Sequence, residues 1–453
     1  GGVGDGVTFG ASDGECISLS ISDPKETCDL SISPFEVTLE RWPKAHESAI
    51  GARYPIVLNK FGRVPAILVH SDLTATPIEQ RWLVCYGIDV TITDTGTSGS
   101  PKASAVYVNG SNSLVGPVTT GSGADSYNYG VRRYRDALGT PVTLLDMGRP
   151  YIHATAQTVP GTEASIYVEV SAGGGGSVEN GDGNVSLIDA MTYLLEGFTL
   201  LSRVGINYRL LGKAEARLGG LPVATCINGS SSSSATNTIA YIESEMLASF
   251  PMVSMVWSNG KYGPVVTDRR DAYFAANLSV GNYPLFDRIS EVQESGKSSC
   301  LNRFTLRYAY DALEDNYTKA IVLDETNSAL CQLSMTQCGS RPADPLESLL
   351  IEDDNTASVV MEWMVQHLTF PSYYVEYVGA TWLYFNLDVG DNVRLTDAEF
   401  TWNEEIATVE KLEYNRGICT IGFRVWWRYC DLSGAASTIF ATESNTPTDI
   451  TSE

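Results

Sequence analysis

Residues 373–427 alternate aromatic and β-branched positions with polar ones through 373–377, 392–395, 407–414 and 419–425. A period of two over such runs is the mark of strands with one buried face. The breaks Asp388-Val389-Gly390-Asp391 and Asn415-Arg416-Gly417 supply the positive-φ positions that tight reversals need. The pattern predicts a small up-and-down β-barrel or sandwich, and it carries no catalytic residue pattern.

Upstream the period changes. Leu187, Met191, Leu194, Leu195, Phe198 and Leu201 form one apolar stripe at helical spacing across 186–203. A second helix is predicted over 238–249, with Ile239, Ile242, Met246 and Leu247 on one face and Pro251 as its stop. A third, over 355–367, starts from a cap at Asp354 or Asn355 and turns Val359, Val360, Trp363, Met364 and Leu368 inward. Strand runs fall at 206–211, 253–257 and 303–310. Residues 1 to about 155 are turn-rich, with strand-like runs at 7–9, 16–21, 35–39, 67–70, 81–93, 105–108 and 141–145. The polar tract 93–100 between two of these runs reads either as a surface loop or as a protruding tip that contacts a neighbour.

The expected fold class is therefore mainly β with an α+β middle. The expected domains are a β-rich unit over 1–155, a Gly-rich linker over 156–184 and an α+β accessory domain over 185–300. A second β unit with one helix follows over 301–432, and then a flexible C-terminal tail over 433–453. At 453 residues the chain is too long for one core, which fits two to four domains.

Composition narrows the classes. Hydrophobic content of 43% with 19% charged residues fits a folded globular chain. No apolar run reaches the ~18 residues of a membrane span, and Gly1-Gly2-Val3-Gly4 begins no basic-then-apolar signal segment. The net charge of −24 argues against a surface that grips nucleic acid, since grip comes from Lys and Arg neutralising phosphates. An acidic wall past which nucleic acid slides remains compatible with it, as does solubility alone. Nine cysteines without a CxxC, and four histidines, lack the paired short spacings of zinc or iron-sulfur sites. Reduced, buried thiols made in a reducing cytoplasm are expected, with Cys16 to Cys28 as a conceivable bridge.

Familiar catalytic and ligand motifs fail on their spacing. The glycines at 173–176 follow a strand run at 166–170 and precede a helix, but GGGGSVENGDG lacks GxGxxG and sets Glu179 and Asp182 where a pyrophosphate needs positive potential. Gly296-Lys297-Ser298 resembles the end of a phosphate-binding loop, yet Glu291 stands where its first glycine belongs. Neither GxSxG nor HExxH occurs. Asn180, Asp182 and Asp189 occupy oxygen-ligand positions of a calcium loop with Gly183 at its sharp turn, but its first position is Val178. The segment is read as either a calcium loop or a turn capping a helix. The acidic pairs in Glu352-Asp353-Asp354 and Glu404-Glu405 fit exposed charge before a helix and in a hairpin better than a glycosidase acid and nucleophile. No catalytic, cofactor-binding or metal residue is assigned, and no enzyme activity is expected.

Three pieces in order carry a resemblance. The predicted helix over 239–250 leads into Met255-Val256-Trp257-Ser258-Asn259-Gly260-Lys261-Tyr262-Gly263-Pro264-Val265. Leu301-Asn302-Arg303-Phe304-Thr305-Leu306-Arg307-Tyr308-Ala309-Tyr310 follows, then an extended excursion and the helix at 357–367. Leu387-Asp388-Val389-Gly390-Asp391-Asn392-Val393-Arg394-Leu395 closes the series. Together the span 239–425 resembles the hub proteins at the tip of bacteriophage tails, the broad group of contractile-tail baseplate hubs and siphophage tail-tip proteins.

That resemblance implies two tube-like β-barrel domains per chain plus an accessory α+β part, with residues 1–155 supplying the first barrel. It further implies a homotrimer whose barrels form a pseudo-sixfold ring. Such a ring adapts the sixfold tail tube or distal tail protein to a threefold tip. Tape measure and tail fibre or tip proteins are its implied partners, DNA passes without specific binding, and no cofactor is implied. The location implied is the virion tail, assembled in the host cytoplasm. The competing reading is a secreted or surface β-rich module for carbohydrate binding or adhesion, for which eight Trp and 23 Tyr offer stacking surface. Trp257, Trp363 and Trp382, however, sit inside apolar patterns and are expected in the core.

Overall fold

The fold is that of a computed structural model, which describes residues 37–52, 54–58, 62–75, 79–86, 91–92, 106–110, 129–135, 141–148, 164–171, 185–197, 201, 203–227, 238–258, 260–268, 275–280, 287–295, 299–380, 386–415, 417–426 and 448–449. The predicted strands at 7–9 and 16–21, the tract 93–104, the glycines at 173–176, Gly296-Lys297-Ser298, Asn180, Asp182 and Trp382 lie outside these residues, as does most of 433–453. The described chain is mainly β.

The run Trp82-Leu83-Val84-Cys85-Tyr86 is buried throughout because its sheet is covered on both faces. Strands Ile67–Asp72, Glu79–Tyr86, Pro141–Gly148 and Tyr129–Arg135 lie side by side in that order, each antiparallel to its neighbour. On one face Ile67, Val69, Leu83, Val142 and Leu144 pack against Val37, Ala49 and Tyr54. On the other, Leu68, Trp82, Val84, Leu145 and Met147 meet Val64, Val106, Val108, Ile166, Val168 and Val170 of a second sheet. The second sheet is built on Ile166–Ser171, inside the stretch expected as a linker. Gly62–Pro65 pairs along one edge of that strand, and Thr91–Ile92 and Val106–Val108 share the other. Of the expected strand at 35–39, the described residues 37–39 are in no strand, and residue 39 begins a turn.

A second core joins residues far apart in the chain. Leu187, Met191 and Leu194 of helix Leu187–Gly197, Ile239, Ile242 and Met246 of the helical segment 238–249, and Val360, Met361 and Met364 of helix Asp354–Leu368 share it with Phe304, Leu306 and Tyr308 of strand Phe304–Asp311. The third helix begins one residue earlier than expected, on Asp353, whose carboxylate accepts from the Thr356 N–H at 2.8 Å. Val359 and Leu368, expected inward, are only partly buried. Two corrections concern helices the pattern missed. The run 206–211, expected as a strand, opens helix Tyr208–Leu218: Asn207 Oδ1 caps the Leu210 N–H, and Gly219 in the left-handed region stops it. The excursion after 310 carries a hairpin with Asn316–Leu323 and then helix Ala329–Cys338, capped by Ser328.

The C-terminal strands form as predicted over Ser372–Ala380, Asn392–Asp397, Trp402–Asn415 and Ile418–Trp426. Their order is not up-and-down, because Ser372–Ala380 pairs with the last of them rather than with the next. The four strands run 1-4-3-2, a Greek-key arrangement. Ala276–Ser279 extends the sheet in parallel beyond Asn392–Asp397, and Asp287–Arg288 and Gln293–Glu294 extend its other side. The sheet curls into a half-barrel around Val375, Tyr377, Val393, Leu395, Val409, Ile421 and Phe423. Register shifts at 395–397 and 409–411 are bulges, which increase local twist. In the expected tail, Thr448–Asp449 pairs with Lys319 and Ala320, covering that strand's edge.

Candidate functional site

The hairpin, the Gly390-Asp391 turn and the helix Asp354–Leu368 meet in space at residues 265–268, while the strand Phe304–Asp311 lies elsewhere in the helical core. The hairpin of Val253–Ser258 and Lys261–Val266 ends there. Gly263 of the hairpin lies so close to the helix Tyr208–Leu218 that an added Cβ would sit 3.0 Å from Asn207 Cβ and 3.2 Å from its carbonyl oxygen. Asn207 in turn donates its backbone N–H to the Tyr262 carbonyl at 2.8 Å. That helix carries Arg209, Lys213 and Arg217 four residues apart, hence on one face.

Against this cationic face stands the turn at 388–391. Lys213 Nζ lies 2.8 Å from Asp391 Oδ1 and 3.3 Å from Asp388 Oδ2, and Arg209 reaches Asp388 at 3.2 Å. Arg217 Nη1 donates both to the Gly390 carbonyl at 2.7 Å and to the Val266 carbonyl at 3.0 Å, so one guanidinium ties turn and hairpin together. Both carboxylates are nearly buried, and burying them without these cations would be costly. Asp391 Oδ2 also accepts from the Asp388 N–H at 2.9 Å. The turn is pinned from behind by Gly390 N–H to the Val409 carbonyl at 2.7 Å and Val409 N–H to the Asp391 carbonyl at 2.9 Å. Gly390 has φ +86°, and any Cβ there would overlap Val265 Cγ1.

A second clasp closes through aromatic rings. Trp363 Nε1 donates to the Thr267 carbonyl at 2.6 Å, and its ring stacks on His367 with centroids 4.4 Å apart. His367 meets the edge of Trp426 at 5.0 Å. Trp426 Nε1 donates to Thr408 Oγ1 at 2.9 Å, Thr408 donates to Asn392 Oδ1 at 2.9 Å, and Asn392 Nδ2 donates to the Asp268 carbonyl at 2.8 Å. The path leaves residue 267 and returns at 268, linking the helical core to the half-barrel.

The remaining motif residues have structural places. Asn302, buried, donates Nδ2 to the Gly339 carbonyl at 2.7 Å and accepts from the Arg341 N–H at 2.8 Å. Tyr308 donates its hydroxyl to Asp354 at 2.9 Å, and Lys319 approaches the same carboxylate at 2.7 Å, which holds the Asp354 pKa below its ordinary value. Trp363 is buried as expected, but Trp257, near the end of its hairpin and with its ring against Tyr262, is 38% exposed. Asp189, the described member of the calcium reading, caps its own helix. Its N–H donates to Ser186 Oγ at 3.0 Å and its carboxylate accepts from the Ser186 N–H at 3.4 Å, a reciprocal capping box. Ser186 Oγ donates onward to Glu215 at 3.0 Å, while burial raises the Glu215 pKa. Among the described residues no three His, Cys, Asp or Glu side chains are grouped to hold a metal ion, and no helix is long and apolar enough to cross a membrane.

Sequence reasoning found the Gly390-Asp391 turn and missed its partners. The spacing of Arg209, Lys213 and Arg217 was a usable signal, since three cations four residues apart fall on one face of a helix. The buried Asn392 and His367 left none.

No protein-family model matches the chain, and no curated protein matches it. Among solved structures, prophage tail protein gp18 from Listeria monocytogenes EGD-e superposes over 81% of this chain and 88% of its own, with a TM-score of 0.28 and 11% identity. A likeness at that level carries no argument about fold or role.

Proposed function

We propose that this chain is a structural hub at the distal end of a phage tail. In this reading three copies form a ring, with the two β units of each copy as barrel walls, and the ring adapts a sixfold tube to a threefold tip. The distal tail or tail tube protein, the tape measure protein and fibre or tip proteins are its partners. DNA passes the bore without specific binding, helped by a surplus of carboxylates. The chain has no catalytic part in this role.

The observation that carries the reading is the convergence at residues 265–268. Two of the stretches similar to those of tail hubs, the hairpin and the Gly390-Asp391 turn, are clasped with the helix Asp354–Leu368 into one unit that joins a helical core to a curled sheet. A part that transmits load between a ring and a tip needs such a rigid joint, and the clasp offers no open reactive group.

The test is oligomeric mass by light scattering, joined to a glycan-binding screen. A stable trimer without glycan affinity supports the hub. A monomer that binds glycans, and loses that binding in Trp257→Ala, moves the function to the adhesion module. A second test is the electrostatic potential of the assembled bore, where a basic lining would remove the proposed role of the net charge.

A further inference from the structure

Cys300 and Cys338 lie 38 positions apart in the chain and side by side in the fold. The Cys338 side chain is hydrogen-bonded to the Cys300 thiol, and neither is bridged. Cys300 is fully buried at the entry to strand Phe304–Asp311, and Cys338 is half-buried at the last position of helix Ala329–Cys338. Their backbones are held together independently of the sulfurs. Two residues beyond Cys300, Asn302 donates its N–H to the Arg341 carbonyl at 2.9 Å and accepts from the Arg341 N–H at 2.8 Å through its side chain. Its amide also donates to the carbonyl of Gly339, the residue next to Cys338, at 2.7 Å. Leu301 N–H is bonded to the Leu368 carbonyl at 2.8 Å, which fixes the other side of the strand entry.

We propose that Cys300 and Cys338 form a dithiol site that closes to a disulfide when the protein meets a small disulfide oxidant such as oxidised glutathione. The half-exposed Cys338 reacts first. Its thiolate attacks one sulfur of the oxidant, a Cys338–glutathione bond forms, and one glutathione leaves as the thiolate. Cys300, as thiolate, then attacks Cys338 Sγ, the internal disulfide forms, and the second glutathione leaves. Two protein thiols are oxidised, one glutathione disulfide is reduced to two thiols, and the two protons pass to the departing thiolates. The burial that pushes the Cys300 thiol up to about 11 makes the second step the slow one. The bond would close a loop holding the hairpin Phe304–Asp311 with Asn316–Leu323 and the helix Ala329–Cys338, so the excursion between them could not open while the link stands. The inference is independent of the tail role.

The test uses the full chain, reduced and then incubated with oxidised glutathione or left in dithiothreitol, alkylated under denaturing conditions and mapped by mass spectrometry. The expected result is a single cross-linked peptide pair joining Cys300 to Cys338, with both sites lost to alkylation and restored by dithiothreitol. In Cys300→Ser the glutathione adduct should accumulate on Cys338 instead. Should that variant fail to fold, Cys338→Ser, at a half-exposed position, should leave Cys300 alkylatable after the same oxidation. Stable glutathione on Cys338 of the unsubstituted protein with Cys300 still alkylatable, or linkage of either residue to a different cysteine, would overturn the proposal.

Discussion

Gly390→Ala tests the joint where the helical core meets the half-barrel. Two costs add at this position. The backbone stands at φ +86°, where an L side chain costs about 1–2 kcal/mol. The new Cβ would also overlap Val265 Cγ1, and Val265 is β-branched, 5% exposed and held in the hairpin, so it has no free rotamer to retreat into. Overpacking of this kind costs about 1–3 kcal/mol. The sum is about 2–5 kcal/mol, a large share of a domain's stability. Displacing the turn would further loosen the Arg217 bonds to Gly390 and Val266. Urea unfolding followed by tryptophan fluorescence reads the effect through Trp363 and Trp426, which flank the joint. A double-mutant cycle with Val265→Ala separates the two costs. Removing the Val265 methyls should relieve the overlap but not the φ cost, giving a coupling of about 1–3 kcal/mol. If the two substitutions add to within about 0.5 kcal/mol, the close approach of turn and hairpin is not what demands glycine, and the reasoning fails.

Lys213→Met should destabilise by about 1–3 kcal/mol, less than a fully buried pair would because Lys213 is 30% exposed, and the loss should show as a lower urea midpoint. Asn302→Ala removes two buried side-chain bonds and should cost about 2–4 kcal/mol, read the same way, while Val322→Ala, at an exposed position of the neighbouring strand, should cost little. Glu215→Gln tests a pH dependence. Burial raises the folded-state pKa of Glu215 above its unfolded value near 4.3, so its contribution is present below the unfolded pKa and lost as pH rises through the folded one. The variant should therefore melt higher than the parent at pH 7, and the gain should vanish below about pH 4; a difference constant with pH would assign it to something other than ionisation.

Much of the fold was legible because local pattern and burial agree. Strands 392–395 and 419–425 alternate because one face of the curled sheet is core and the other is not, while in 407–414 the bulge at 409–411 shifts the alternation by one residue. The helix over 238–249 and the one capped at Asp353 were legible for the same reason. Helix Tyr208–Leu218 was misread because Ile206, Leu210 and Leu211 suit a short strand as well as a helix, and its cap at Asn207 resembles any turn residue. The up-and-down order was misread because strand pairing is not a local property: Ser372–Ala380 finds its partner in Ile418–Trp426, across two intervening strands.

The sequence by itself determined where the chain reverses, which faces of its strands and helices are apolar, and that no familiar catalytic or nucleotide-binding motif is present. It also marked Gly390-Asp391 as a turn, because positive φ and a carboxylate beside it are local requirements. Only the tertiary structure decided what that turn is for. The three cations that neutralise it lie more than 170 residues earlier, Val265 forbids it a side chain, and the ring path through Trp363, His367 and Trp426 joins it to a second core. Buried charge demands a partner but does not say from which part of the chain the partner comes. Pattern therefore predicts elements, while packing chooses which of them share a joint.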